Sequence, residues 1–255
     1  MRKQDSKEKL DFFVEKYNTS NFIANDPISI AHKFSKKEDI EIIGLIIATI
    51  SWGNRTSIIK NGNHLVALMQ SNPYEFAMNY KEKEINHLKA FKHRTFNHFD
   101  LHYFILRIQD IYLNKGGLEK IFNEGFQINK TAEQAINHFR NQFIPKDFKK
   151  IRTQKHVANP LKGSAAKRIN MYLRWMVRED NNGVDFGLWK NISPSYLSCP
   201  LDVHSGRTAR KYNLLKRKQN DLKAVKELDA SLAFFDPKDP VKYDFALFGM
   251  SIENE

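Results

Sequence analysis

The chain of 255 residues has one cysteine, few turn-forming residues and no long hydrophobic run. Because Cys199 stands alone, a disulfide framework and a cysteine-ligated iron–sulfur or zinc site are excluded, and we expect no metal and no cofactor. The longest apolar run, IIGLIIATI at 42–50, is far shorter than the roughly 20 residues of a membrane span, so it indicates a buried helix and no membrane partner. The N-terminal stretch MRKQDSKEKL is too charged for a signal peptide, which predicts a cytoplasmic protein.

Glycine and proline are scarce, with 11 and 8 residues, and apolar residues recur at spacings of three and four. This pattern favours an all-α protein. It predicts an amphipathic helix at 5–18, and a capping box of Ser35 and Glu38 predicts a strongly apolar helix that ends near Gly53. Further helices are predicted before the stop signal Ser71-Asn72-Pro73, from Leu101 to the closing Lys115-Gly116-Gly117, and from Thr131 onward.

Acidic residues are fewer than basic ones: the chain has 29 Asp and Glu and 41 Lys and Arg, which gives a formal charge of +12. Such an excess favours a polyanionic partner, above all nucleic acid, although a solvated lysine-rich surface explains many basic proteins. The densest basic segment is KDFKKIRTQKHVANPLKG at 146–163, which has little helical periodicity. It fits a loop that grips phosphates and, equally, a charged surface connection. The candidate contacts in this segment are Lys149, Lys150, Arg152 and Lys162.

From Gly163 the sequence GSAAKRINMYLRWMVRED predicts a helix with Ser164 as its N-cap. Ile169, Tyr172, Leu173 and Met176 share its apolar face, and Lys167, Asn170, Arg174 and Arg178 form the opposite face. In the first turn, the helix dipole and the adjacent Arg168 oppose protonation of Lys167, so we expect a lowered pKa and a nucleophilic amine. The alternative is an ordinary exposed lysine.

One carboxylate stands out in PLDVHSGRTARK at 200–211, where Asp202 lies between an apolar pair and a basic segment. Asp at a helix start accepts hydrogen bonds from free backbone N–H groups, so Asp202 is predicted to be an N-cap. A fixed carboxylate could also stabilise positive charge that develops on a substrate.

Several motifs resemble those of known proteins. GSAAKRIN is similar to the second half of the helix-hairpin-helix in the DNA glycosylase superfamily of endonuclease III, and PLDVHSGRTAR resembles its V-D-T-H-x-x-R-V motif. The early segment IIGLIIATISWGNRTSIIKNGNHLV is similar to the superfamily's helix pair whose loop inserts at a damaged base. GSAxKR, RWMVR, PLDxH and DPVKYDFALF also mark a bacterial family of unassigned function, allied to archaeal 8-oxoguanine glycosylases.

The resemblance implies two all-helical domains that flank a DNA-binding cleft, with a helix-hairpin-helix-like element. An N-terminal helix within 1–35 would pack with the C-terminal domain, 36–184 would form a helical barrel, and 185–255 would carry the aspartate. The partner would be double-stranded DNA with a damaged base, bound by a monomer. The implied function is a repair glycosylase, with lyase activity, that excises an oxidised purine such as 8-oxoguanine.

The resemblance also implies roles for individual residues. Lys167 would be the nucleophile and Asp202 the electrostatic catalyst. DNA contacts beyond the basic segment would come from Gly163, Ser164, Arg168 and Arg207. The base pocket or insertion loop would involve Trp52, Asn54, Arg55, His204, Phe245 and Phe248, with Trp189 as a further aromatic wall. For each aromatic, ordinary core packing is the alternative.

Two other functions fit parts of the sequence. A catalytically inactive module with the glycosylase fold would bind damaged or distorted DNA without turnover, but it has no need of both Lys167 and Asp202. A helical RNA-binding or scaffold protein would explain the charge alone, and it predicts that the two side chains lie on separate surfaces.

Overall fold

The computed structural model describes residues 3–145 and 151–253, and within them the predicted all-α fold is confirmed. A two-stranded antiparallel sheet is the one sheet among these residues, with strands β1 (Lys92–His93) and β2 (Phe96–Asn97). The α-helices are α1 (Lys3–Tyr17), α2 (Ser20–Ala24), α3 (Lys37–Ile50), α4 (Arg55–Leu68), α5 (Pro73–Asn79), α6 (His98–Lys115), α7 (Leu118–Asn129), α8 (Ala132–Phe143), α9 (Lys167–Val177), α10 (Val203–Lys211), α11 (Leu222–Phe235) and α12 (Tyr243–Glu253). Short 3₁₀ helices lie at Pro27–Lys33, Glu82–Leu88, Arg152–His156, Pro160–Lys162, Pro194–Tyr196 and Pro240–Lys242.

Two compact units divide the chain. Unit 1 comprises Met1–Ala24, Lys130–Glu133 and Asn159–Glu255, and unit 2 comprises Asn25–Asn129 and Gln134–Ala158. Residues 159–184, which the sequence analysis assigned to a middle barrel, therefore lie in the same unit as Asp202. The physical reason is that the arginines of α9 pair with carboxylates that follow it in the chain, including Asp185 and Asp244.

The core of unit 1 forms where α1 packs on α12. Leu10 and Phe13 of α1 are buried together with Tyr243, Leu247 and Met250 of α12 and with apolar residues of α10 and α11. Gly249 makes the close approach of α1 and α12 feasible, because a Cβ there would lie 2.2 Å from the Tyr17 ring.

Unit 2 is organised around α3, where every residue from Asp39 to Ile50 is buried. α3 packs against the 3₁₀ helix Pro27–Lys33 and against α4 and α5. The glycine stop predicted for α6 is confirmed, since Gly116 adopts the left-handed conformation with φ of 80°. No helix of the described residues is long and apolar enough to cross a membrane.

The predicted cap of α3 is wrong. Ser35 was expected to cap α3, but the helix begins at Lys37 and the preceding Lys36 makes no side-chain cap. Glu38 and Asp39 in the first turn instead interact favourably with the helix dipole. Asp239 precedes the 3₁₀ helix Pro240–Lys242 but does not cap it with its side chain. Instead, its Oδ2 accepts a hydrogen bond from Arg178 Nε at 2.8 Å, so this carboxylate is engaged in an ion pair.

Candidate functional site

The turn before α9 places Lys167 at the first position of that helix. Asn159 Oδ1 accepts from Lys162 N at 3.2 Å, and Gly163 then turns the chain with φ of 88°. Ser164 is not the N-cap that the sequence analysis predicted. Its Oγ accepts from Ala166 N at 3.2 Å, and Ala166 itself precedes the helix with φ of 49°, a left-handed conformation that is unfavourable for a residue with a Cβ.

Asp202 is the N-cap of α10, as predicted. Its Oδ1 accepts from His204 N at 2.9 Å and from Ser205 N at 3.0 Å, and its own N–H donates to Ser205 Oγ at 2.9 Å. These bonds fix the carboxylate at the positive end of the helix.

A short segment, residues 217–222, contacts both turns. Leu222 N donates to Gly163 O at 3.0 Å, and Asp221 pairs with Ser164 as an antiparallel bridge. Asn220 Nδ2 donates to the Asp202 carbonyl oxygen at 2.7 Å. The segment therefore links the backbone ahead of Lys167 to the backbone of Asp202.

The structure brings the two predicted catalytic side chains together. Lys167 Nζ lies 3.7 Å from Asp202 Oδ2, and their side chains are 30% and 39% exposed. Lys167 Nζ also lies 3.7 Å from Met171 Sδ. The pair is thus held by unit 1 alone, close but not tightly bonded, and it is accessible to a ligand.

Sequence reasoning missed a third charged group, Asp244 on α12. Its Oδ2 accepts from Arg174 Nη1 at 2.9 Å, and its side chain is 17% exposed. Burial raises the pKa of Asp244 to about 6, with the negative charge of Asp202 adding to the rise while Arg174 and Lys167 oppose it. Asp244 lies in the quoted motif DPVKYDFALF, but nothing local in that motif shows its partners.

The polar face predicted for α9 is not a solvated face. Arg174 and Arg178 are each 3% exposed. Arg178 contacts Asp180, Asp185 and Asp239 at 2.6, 3.2 and 2.8 Å. These arginines sit in a buried ion cluster because carboxylates from later parts of the chain neutralise them.

The aromatic residues proposed as pocket walls in unit 1 pack inside it. Phe245 is fully buried, and its ring centroid lies 4.2 Å from the Arg174 guanidinium carbon, so the structure corrects its placement in a base pocket. Trp189 is also fully buried, edge to face with Tyr172. Phe248 is half-buried, edge to face with Phe22.

The predicted DNA contacts in unit 1 are mostly exposed. Lys162 and Gly163 lie at the surface, as does Arg207 on α10. His204, predicted for the base pocket or insertion loop, is exposed as well. Arg168 is half-buried, and burial lowers its pKa. Lys149 and Lys150 fall outside the described residues.

In unit 2 the residues of the predicted insertion loop contact their neighbours. Asn54 Oδ1 accepts from Ser57 N at 3.1 Å and so caps α4, next to an exposed Arg55. The half-buried Trp52 ring stacks on His156 with centroids 5.8 Å apart.

Arg152, predicted to contact DNA, is engaged within unit 2. It pairs with the fully buried Asp100, and it donates to Asn97 Oδ1 at 3.0 Å and to Thr95 O at 2.8 Å. Burial alone would raise the pKa of Asp100, but His156, the Asn97 N–H, Arg152 and Thr153 hold it well below its usual range. Arg152 therefore has a structural role, although its side chain remains 43% exposed.

The fold and this lysine–aspartate pair define an all-α protein with a half-exposed amine beside a fixed carboxylate. A family model described as "Protein of unknown function (DUF2400)" matches residues 26–253, and the chain belongs to that family. No curated protein and no solved structure matches the chain.

Proposed function

We propose that this protein is a DNA glycosylase with lyase activity, which removes an oxidised purine such as 8-oxoguanine from double-stranded DNA. The observation that carries the proposal is the distance of 3.7 Å between Lys167 Nζ and Asp202 Oδ2, with both side chains partly exposed. Side chains 35 positions apart in the sequence are thereby brought to one place on the surface of unit 1. The motif resemblances and the formal charge of +12 support DNA as the substrate.

The chemistry needs an amine and a carboxylate at the sugar. The Lys167 nitrogen donates its electron pair to C1′, and the bond from C1′ to the base breaks with its electrons on the base. A proton from the amine nitrogen goes to the departing base. Cleavage of the C1′–O4′ bond, with a proton taken up on O4′, then leaves a protonated imine between Lys167 and C1′.

Asp202 contributes through its fixed charge. Positive charge develops on the sugar as the base departs, and a preoriented carboxylate stabilises it without reorganising. Because Oδ1 accepts hydrogen bonds from the His204 and Ser205 N–H groups, Oδ2 is left to face Lys167 Nζ.

Borohydride trapping tests the proposal directly. On a duplex with one abasic site, the Lys167 amine condenses with the sugar aldehyde, releases water and forms an imine that borohydride reduces to a stable amine. We expect a covalent protein–DNA adduct with the wild type and none with Lys167→Gln. Lys162→Gln is the matched control, since Lys162 is an exposed lysine five positions earlier, and it should still be trapped.

Two results would contradict the proposal. If the adduct persists in Lys167→Gln and maps by mass spectrometry to another lysine, Lys167 is not the nucleophile. If the wild type binds damaged duplexes but never forms an adduct or releases a base, the inactive binding module is the better description. A panel of duplexes, each with one modified base, would identify the substrate.

A further inference from the structure

Three segments of unit 2 carry cations and no acidic residue. They are SWGNRTS at 51–57, FKHRTFNHF at 91–99 and IRTQKHVA at 151–158. Their basic residues are Arg55, Lys92, Arg94, Arg152 and Lys155, and all five are exposed. We call these three segments together the basic hairpin surface.

The three segments adjoin one another. His93 Nε2 lies 3.2 Å from Trp52 O, which joins the first segment to the second. Arg152 donates to Thr95 O at 2.8 Å, which joins the third segment to the second. The Trp52 ring stacks on His156 and so contacts the third segment as well. The cations therefore belong to one continuous surface.

Arg94 occupies an unfavourable position in this surface. Strand residues Lys92 and His93 pair with Asn97 and Phe96, so Arg94 and Thr95 form a two-residue hairpin turn. Arg94 has φ of 53°, a left-handed conformation for which such turns usually employ glycine or asparagine. The left-handed backbone makes an arginine energetically unfavourable at this position. Its presence is therefore better explained by a function of its side chain.

Gly53 accommodates the Arg94 side chain. A Cβ on Gly53 would lie 2.7 Å from Arg94 Nη1 and 3.2 Å from Arg94 Cδ, and Gly53 has φ of 96°. The left-handed backbone favours glycine here, and the absence of a Cβ leaves room for the arginine side chain. As a result, the exposed guanidinium of Arg94 is held over the loop that carries Trp52 and Arg55.

We propose that the basic hairpin surface binds the sugar-phosphate backbone of duplex DNA, with Arg94 and Lys92 as its principal phosphate contacts. Exposed guanidinium and ammonium groups suit the phosphates of a nucleic acid backbone. The surface lies within unit 2, so it is a contact additional to the Lys167 turn of unit 1. The identity of the partner rests on the proposed function, whereas the surface itself rests on the geometry of unit 2.

The test measures DNA affinity apart from chemistry. Fluorescence anisotropy with an undamaged 20-base-pair duplex, over a series of salt concentrations, would compare the full-length wild type with Lys92→Ala/Arg94→Ala. We expect affinity to fall about tenfold and the slope of log affinity against log salt to become shallower by about 2, since each phosphate contact contributes roughly 0.9. Lys83→Ala/Lys120→Ala removes two exposed charges of unit 2 outside the surface and should change affinity less than twofold.

A second variant separates binding from folding. Arg94→Gly relieves the left-handed backbone, so we expect it to retain or raise the melting temperature while it still weakens DNA binding. Unchanged affinity and salt slope in Lys92→Ala/Arg94→Ala would overturn the inference. If the same double variant lost binding to anionic phospholipid vesicles but kept its DNA affinity, the inference would be overturned too, and the surface would be a membrane-binding surface.

The two proposals can fail separately. If duplex affinity depends on Arg94 but no adduct forms at Lys167, the glycosylase proposal fails and this inference stands. If Lys167 is trapped normally and duplex affinity does not depend on the hairpin, this inference fails alone.

Discussion

Helix α9 carries basic side chains into two very different carboxylate environments. At its N-terminus Lys167 Nζ lies 3.7 Å from Asp202, and the two side chains are 30% and 39% exposed. At its C-terminus Arg178 contacts three carboxylates at 2.6 to 3.2 Å with only 3% of its side chain exposed. The chemistry of the pairs is alike, but the second is enclosed by protein and the first is open to solvent.

The difference separates a structural role from a functional one. An exposed ion pair contributes little to stability, about 0 to 1 kcal/mol, so folding gives weak reason to place Lys167 beside Asp202. A buried charge that loses its partners is costly, so folding gives strong reason to keep Arg178 with its carboxylates. Four predictions can break or sharpen this distinction.

The largest expected effect is on stability, at Arg178. Arg178→Met leaves Asp180, Asp185 and Asp239 without their shared cation, and we expect the free energy of unfolding to fall by about 3 to 5 kcal/mol in urea denaturation. Lys190→Met is the control, because its pair with Glu179 is more than 60% exposed on both sides, and it should cost less than about 1 kcal/mol. Equal losses in the two variants would remove the distinction between the clusters.

The next effect is on activity, at Asp202. Asp202→Asn keeps a capping side chain but loses the charge, so we expect the rate of base release from a damaged duplex to fall about a hundredfold, or ~3 kcal/mol, with nearly wild-type stability. Asp202→Ala should lose activity similarly and also lose about 1 kcal/mol of stability with the cap. Rapid-quench assays of base release and thermal melts would measure the two losses. Full activity in the Asn variant would remove Asp202 from the mechanism.

A smaller effect is expected at Asn220, which contacts the backbone of Asp202 and not the charged groups of the pair. Asn220 Nδ2 donates to Asp202 O, and Asn220 Oδ1 accepts from Arg210 Nη2 at 2.6 Å. Asn220→Ala should slow base release about fivefold, with duplex affinity unchanged, because loss of the hydrogen bond to Asp202 is worth about 1 kcal/mol. Asn182→Ala, an exposed asparagine of unit 1, is the control. A matching loss of duplex affinity would show a general structural defect instead of a positioning role.

Features that depend on neighbouring residues could be predicted from the sequence. The Asp202 cap needs only His204 and Ser205, two and three positions later, and the end of α6 needs only Gly116. The Lys167–Asp202 contact spans 35 positions, so the resemblance of motifs was needed to expect it.

Other features depend on distant partners and were missed. Helical periodicity assigned Arg174 to the polar face of α9, whereas Asp185 and Asp244 make its burial favourable. The hairpin at 92–97 has strands of only two residues, and its turn contains no glycine or asparagine. The sequence therefore has neither the alternating strand pattern nor the turn signal that would predict a hairpin.

The smallest expected effect is at Asp244. This residue connects the exposed Lys167–Asp202 pair with the buried arginine cluster, because it accepts a hydrogen bond from Arg174 and interacts electrostatically with Lys167. Burial raises the pKa of Asp244 to about 6, above the unfolded value near 4. The folded state therefore binds the proton more tightly, and the stability that this group contributes is present below pH 4 and is lost as the pH rises to 6. Asp244→Asn should remove that loss, so its melting temperature should gain on the wild type by about 3 °C between pH 4 and 6.

Asp236→Asn provides a control of opposite sign for the Asp244 experiment. Burial alone would raise the pKa of Asp236, but the hydrogen bond from Lys242 and other contacts lower it below its usual value. The stability that ionised Asp236 contributes is therefore lost only as the pH falls below about 4. The difference in melting temperature between Asp236→Asn and the wild type should therefore stay level from pH 5 to 7, where the Asp244→Asn difference is still changing. A level difference for Asp244→Asn as well would mean that Asp244 is ionised throughout. It would then belong, with Arg174, to the closed structural cluster and not to the titrating surroundings of Lys167.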